Sequence, residues 1–438
     1  MGRATLSQLF DKSSGRLMYP MATMKRVVIT GMGVVSPNGI GKPAFCRAIL
    51  AGTSGVKKIT RFDPSFLPVH VAGEIQDFDE LAWVDARERK HVSRSVPLAV
   101  AASAEAIADA GLDPPNMSQD EKREIGVILG TGGGAQEFTE EQYRLWHTGH
   151  VKQASVFCIP SGTMGTLSSE ISMRFGFRGP SHVVTTNCTS STDALGYALD
   201  QIRIGSLPMI LAGGVDAPLS PATVKAYTLL RALTPLWNDA PERASRPFSA
   251  DRSGFVLAEG SWMFLLEEYE RAKSRGAHIY AELAGYGSTC EAHHRVRLGE
   301  DGEEPARAIT LALADAGATP DQVDYVNLHG TATELNDRVE TLAVKLALGK
   351  RAAKIPTSAL KSQIGHPQGA SGAAGVAATL IAMKHDLIPP TINLDQPDPA
   401  CDLDYVPDIG RRAKIEHAVC NCVGFGSKNS ALVLRRVS

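Results

Sequence analysis

From Lys25 onward, strand-like runs rich in β-branched residues alternate with alanine-rich helical stretches, as where 97–110 reads as a helix ahead of a strand over 125–129. Strands alternating with helices of that length call for sheets covered by helices, which makes an α/β fold the expectation. The alternation carries a faint internal echo. Lys25 to Gly33 enters a strand with glycines much as His278 to Gly287 does, and the helix after Cys188 has a small-residue counterpart behind His366. Two similar halves are therefore expected, 24–276 and 277–438, joined near Gly276.

Residues 1–23 do not share the pattern and read as a disordered extension, with Met18, Met21 and Met24 leaving the start open. With 45 Lys+Arg against 47 Asp+Glu, the formal net charge of −2 argues against a nucleic-acid partner. No apolar run approaches the roughly 18 residues of a membrane span, and no apolar signal core opens the chain. Seven cysteines without regular spacing fit a reducing compartment, so the cytoplasm is the expected location. Gly31-Met32-Gly33-Val34-Val35-Ser36 mimics a dinucleotide fingerprint, but Ser36 replaces the third glycine and no acid follows at the required distance. A tight turn is the expectation there.

Three short segments carry the chemistry. Cys188 stands in Thr185-Thr186-Asn187-Cys188-Thr189-Ser190-Ser191, where a strand-like 182–186 gives way to a helix over 192–204. A thiol at a helix N-terminus faces unpaired N–H groups that favour the thiolate. His329, in Asn327-Leu328-His329-Gly330-Thr331-Ala332-Thr333, ends a strand-like 323–328, and His366, in Lys361-Ser362-Gln363-Ile364-Gly365-His366-Pro367, precedes a helix over 369–384. Each histidine sits beside glycines that let a ligand approach closely.

Cys188, His329, Lys361 and His366, in that order and setting, resemble the Cys-His-His site of the β-ketoacyl-acyl-carrier-protein synthases. The nearest likeness is to the elongating enzymes of type II fatty acid synthesis and the ketosynthase subunits of type II polyketide systems. The resemblance includes Arg26 to Gly33, Arg246-Pro247-Phe248, Gly254-Phe255-Val256, Pro389 to Asn393 and Gly424-Phe425-Gly426. It implies a thiolase-like fold of two similar βαβ halves, layered α-β-α-β-α, with the site where they meet.

It also implies decarboxylative Claisen condensation. Cys188 takes an acyl chain from an acyl carrier protein. Malonyl-carrier then loses CO2, and its enolate accepts hydrogen bonds from His329 and His366, both neutral donors. Backbone N–H groups of Cys188 and Phe425 form the oxyanion hole. By the same resemblance Lys361 is buried beside His329 and paired with Glu340, and Thr331 and Thr333 hold the phosphopantetheine arm. That arm arrives on the carrier, so no metal or other cofactor is expected. The partners implied are the carrier, met by a basic rim drawn from Arg295, Arg297, the 87–94 stretch and Lys428, and a second subunit, either another copy or a chain-length factor.

Departures from the fatty-acid pattern mark the acyl pocket. Gly133, in Gly130-Thr131-Gly132-Gly133-Gly134, stands for a branched aliphatic residue, Val423 for an aromatic, and Ser427-Lys428 for Gly-Thr. Asn336-Asp337-Arg338 is more like the polyketide enzymes. A non-catalytic chain-length factor would lack Cys188, a cysteine hydrolase would not need a second histidine, and a degradative thiolase would use a second cysteine such as Cys420 or Cys422 as base.

Overall fold

The computed structural model describes residues 24–437 and two short paired strands, Phe10–Asp11 and Arg16–Leu17. The rest of the extension expected over 1–23 lies outside the described residues.

Ten of the eleven strands of the main sheet form two sets of five with one repeated order, and the short strand Gly39–Ile40 pairs with the end of Val27–Ser36. The first set comprises β1 (Val27–Ser36), β2 (Ile125–Gly130), β3 (Ser181–Val184), β4 (Met209–Asp216) and β5 (Gly260–Glu268). The second comprises β6 (Ala281–Cys290), β7 (Tyr325–Asn327), β8 (Thr357–Ser358), β9 (His417–Gly424) and β10 (Lys428–Arg435). In the first, the order is β1-β5-β4-β2-β3, and in the second β6-β10-β9-β7-β8. Within each set the first strand and its two successive neighbours pair antiparallel, and the remaining pairings are parallel. The sets touch through a short antiparallel contact, Ala281 with Ile29 and Glu282 with Val28.

The faint echo in sequence has a physical basis. Gly31 and Gly33 lie inside β1, not in the turn expected for them, and a Cβ on either would run into Ala106 O or Ala102 O of helix α1 (Ser95–Asp109). Gly285 and Gly287 of β6 meet Ala312 O and Ala308 O of helix α3 (Glu303–Asp315) in the same way. In both halves, glycines two apart on the first strand let an outer helix press its backbone onto the sheet.

Two further helices, α2 (Ser190–Arg203) and α5 (Ser371–His385), pack on each other between the two strand sets and reach strands of both halves. Outside, α1 covers the first set, while α3, with α4 (Glu334–Leu348) against it, covers the second. The layering is therefore α-β-α-β-α, as expected. The central helices share one apolar core that includes Leu195, Leu199, Val376 and Leu380, all essentially inaccessible. Burial on every side explains why the small-residue run of α5 shows no polar face, since all of Ser371 to Met383 is buried. Among the described residues no helix is long and apolar enough to cross a membrane.

Candidate active site

The turn that carries Cys188 begins two residues earlier than the sequence pattern suggests, because β3 stops at Val184 and residues 185–189 fold back. Asn187 adopts φ 59°, a left-handed backbone unusual for a side chain other than glycine. The Thr186 N–H donates to Ser190 Oγ at 2.8 Å, and Ser190 Oγ donates to Asn187 O at 2.6 Å. Cys188 is thereby held at the entrance of α2 with only 5% of its surface exposed.

That burial decides its charge. Desolvation pushes the Cys188 thiol up to about 11, and the Lys361 cation and the backbone groups of Phe425 and Cys188 itself draw it back only in part. Burial therefore opposes the thiolate that the helix terminus favours. The two backbone groups named for the oxyanion hole do both face the sulfur.

His329 leaves the end of β7 on a loop fixed from below by two buried carboxylates. Glu340, on α4, accepts from His329 N at 2.6 Å, Gly330 N at 2.7 Å and Asn421 Nδ2 at 2.7 Å. Asp337, one turn earlier, accepts from Thr331 N at 3.2 Å and Phe248 N at 2.7 Å. Gly330 takes φ 42°, and a Cβ there would meet Ala359 Cβ at 2.5 Å. Lys361, in the helical turn Lys361–Ile364, sends its Nζ to His329 O at 2.7 Å and stands 3.3 Å from His329 Nδ1. The ion pair expected between Lys361 and Glu340 is absent: the lysine binds the loop directly, and the carboxylate is taken up by backbone N–H groups.

His366 is docked through its backbone, its N donating to Val256 O at 2.7 Å and its O accepting from Ala258 N at 3.0 Å. Its Nδ1 lies 3.0 Å from Ser371 Oγ, which donates to Gln368 O at 2.6 Å. The rings of His329 and His366 meet edge-on with centroids 5.3 Å apart. A sulfur or nitrogen atom from each of Cys188, His329 and His366 lies within 4.8 Å of the others. Burial, with the Lys361 cation second, holds both imidazoles well below their usual titration range, so both are neutral at pH 7. Cys, His and His are also donors that suit zinc, but the Lys361 ammonium beside His329 opposes a second cation there.

These groups form the floor of a cavity of about 280 Å³ whose walls include Thr331, Thr333, Asn336, Val423 and Phe425. Thr331 and Thr333 share a hydroxyl contact of 2.9 Å. Arg231 and Arg297 line the same cavity. Arg94, offered for a basic rim, is instead buried and bonded to Glu259 at 2.7 Å. Gly133 does not line this cavity. A Cβ on it would face Gln136 Oε1 at 3.3 Å and Asp216 Oδ1 at 3.5 Å.

Asp216, at the end of β4, escaped the sequence reading. Its carboxylate accepts from Gly132 N at 2.8 Å, Gly133 N at 2.8 Å, Thr131 Oγ1 at 2.9 Å and Gly369 N at 2.7 Å. It ties the glycine loop to the segment behind His366, and a lone acid closing the apolar run 209–215 was the available signal. Cys422, which a degradative thiolase would use as base, lies beside His329, its Sγ 3.4 Å from Nδ1. Its thiol donates to Cys188 O at 3.1 Å, and burial pushes it up to about 12.

Comparison with known proteins agrees with this geometry. Residues 24–272 match the family model for the β-ketoacyl synthase N-terminal domain, and residues 280–395 that for the C-terminal domain. The ketoacyl synthase alpha subunit of the tetracenomycin polyketide synthase of Streptomyces glaucescens is 42% identical, over 94% of this chain and 97% of its own. The 3-oxoacyl-[acyl-carrier-protein] synthase 2 of Synechocystis sp. is 40% identical over 94% of this chain and 98% of its own. Among solved structures, the ishigamide ketosynthase/chain length factor superposes with a TM-score of 0.87 at 34% identity, covering 95% of this chain and all of that one (100%). A type II polyketide synthase acyl-carrier protein in complex with its ketosynthase bound to the hexaketide gives 0.86 at 35%, covering 95% and 100%. With both halves matched and the cysteine and two histidines gathered between them, the chain belongs to the β-ketoacyl synthase family.

Proposed function

We propose that this protein elongates an acyl chain carried on Cys188 by decarboxylative condensation with malonyl-acyl-carrier protein. The observation that carries the reading is the convergence of the Cys188 sulfur with one nitrogen each of His329 and His366 within 4.8 Å, at the floor of a cavity. Cys188 attacks the acyl thioester, and the oxyanion that forms lies against the backbone N–H groups of Cys188 and Phe425. The malonyl thioester then enters past Thr331 and Thr333, loses CO2 beside the two imidazoles, and its carbanion attacks the Cys188 thioester. The steps need no resident metal or cofactor, because the pantetheine arm comes with the carrier.

The acidic carrier would dock where Arg231 and Arg297 line the mouth. Relatives from polyketide synthases, together with Asn336 in the cavity wall, favour a polyketide or polyene chain over a saturated one. A chain-length-factor-like subunit is the corresponding partner, and the cytoplasm the corresponding place. The test is intact-mass analysis of the protein after incubation with acyl-carriers of graded length, beside CO2 release from malonyl-carrier. Acylation should appear in the wild type and be absent in Cys188→Ala, while decarboxylation persists in that variant. Acylation of Cys188→Ala would overturn the assignment.

A further inference from the structure

The turn between β9 and β10 carries Phe425, whose backbone N–H faces the Cys188 sulfur. Two residues on stands Ser427, where the fatty-acid pattern has glycine. It keeps the left-handed backbone that glycine adopts without strain, φ 63° beside 79° at Gly426. A serine in that conformation persists only where its surroundings hold it. Its hydroxyl accepts from His293 N at 3.1 Å and His294 N at 3.1 Å, and donates to His294 O at 3.0 Å. One proton and two lone pairs are all that a hydroxyl has, and here all are used, with only 4% of the residue exposed.

Backbone bonds extend the seam. Gly426 N donates to Arg295 O at 2.9 Å, and Glu291 N to Ser427 O at 2.9 Å. The segment joined to the turn in this way, 291–298, has no helix or strand, and its residues 292–295 are exposed. It runs on to the mouth of the cavity. His294 Nδ1 accepts from Val296 N at 3.0 Å and Arg297 N at 3.1 Å, and Val296, Arg297 and Leu298 line the wall. On the other side Asn187, from the turn that carries Cys188, donates through Nδ2 to Phe425 O at 3.0 Å. Phe425 is thus held between the nucleophile turn and the mouth loop.

We infer that Ser427 is a positioning residue that binds the mouth loop to the turn of Phe425 and so sets the place of the Phe425 N–H in the oxyanion hole. The inference rests on the condensing reading above and adds to it a residue that acts only through its neighbours. A donor lowers the barrier most when it already waits where the oxyanion will form. Without the Ser427 hydroxyl the hairpin keeps its pairing of Gly424 with Lys428 but loses three bonds to 293–294. The Phe425 N–H then has to be ordered anew at each acylation.

The test compares two variants. Ser427→Gly removes the hydroxyl and relieves the left-handed strain, whereas Ser427→Ala removes the hydroxyl and keeps the strain. Both should slow acylation of Cys188 about tenfold, short of the hundredfold or more expected for removing such a donor outright. The loss should be equal with acyl-carrier and with a carrier-free acyl N-acetylcysteamine thioester, because both pass through the same oxyanion. Alkylation by iodoacetamide develops no oxyanion and should change by less than about twofold. In hydrogen exchange, the segments 291–298 and 424–428 should exchange faster together in both variants. Acylation within about twofold of wild type in both variants overturns the inference. So does a loss in Ser427→Gly alone, which would trace it to backbone freedom, or a loss confined to acyl-carrier, which would make Ser427 part of the docking surface. An alkylation rate that falls as far as acylation also overturns it, by making Ser427 general support for the Cys188 turn. Failure of the condensing reading looks different: wild-type protein would be acylated by neither thioester, while the joint exchange of the two segments would remain.

Discussion

Lys361 Nζ lies 2.7 Å from the carbonyl oxygen of His329 and 3.3 Å from Nδ1 of the same residue, so one buried cation holds both the loop and the ring. Burial weakens that cation, lowering its own affinity for a proton, while the nearby Cys422, Glu340 and Cys188 support it. Its field also reaches Cys188 and His366, which makes it the common electrostatic term of the site.

Lys361→Met keeps the stem and removes the charge. His329 O then loses its donor, at about 1 to 3 kcal/mol, and the His329 ring becomes easier to protonate. Decarboxylation is expected to fall at least tenfold, and alkylation of Cys188 to slow because the cation that stabilised its thiolate is gone. CO2 release at the wild-type rate would place Lys361 outside the chemistry.

The thiol itself offers a pH test. With Cys188 pushed up to about 11 by burial, its alkylation by iodoacetamide should still be climbing at pH 9. A rate that levels off below pH 8 would mean that the helix terminus wins over desolvation after all.

Glu340 is a second titrating device. Burial raises it to about 6 from an ordinary 4.5. The folded state thus binds its proton more tightly, and the stability this group contributes is lost as pH rises through that window. Glu340→Gln has no such slope and turns an N–H toward the Gly330 N–H, at a cost of about 1 to 3 kcal/mol. Its loss of Tm relative to wild type should be larger at pH 5 than at pH 7, and a deficit that grows with pH contradicts the sign.

Gly133 stands for a branched aliphatic residue of the acyl pocket in the fatty-acid pattern, but the structure moves the expected effect of Gly133→Ile elsewhere. A side chain there meets Gln136 and the Asp216 carboxylate, so it disturbs the loop that Asp216 ties to Gly369. Losses of about 1 to 3 kcal/mol from overpacking should fall equally on short and long acyl-carriers in Cys188 acylation assays. A loss confined to long chains would return Gly133 to the pocket wall.

Strand and helix alternation, the glycine pairs of β1 and β6, and the residue types Cys188, His329, Lys361 and His366 are local properties of the chain, and the sequence by itself determined them along with the family they belong to. Charge state and bonding direction were decided only in three dimensions. The Cys188 thiolate is opposed because core packing removes its water, and Glu340 binds backbone N–H groups because α4 passes beneath the His329 loop. The Ser371 hydroxyl reaches His366 Nδ1 at 3.0 Å because of where α5 meets α2. Asp216 joins two loops far apart in the chain, and no local pattern encodes that pairing, since it exists only once the two halves have closed over one core.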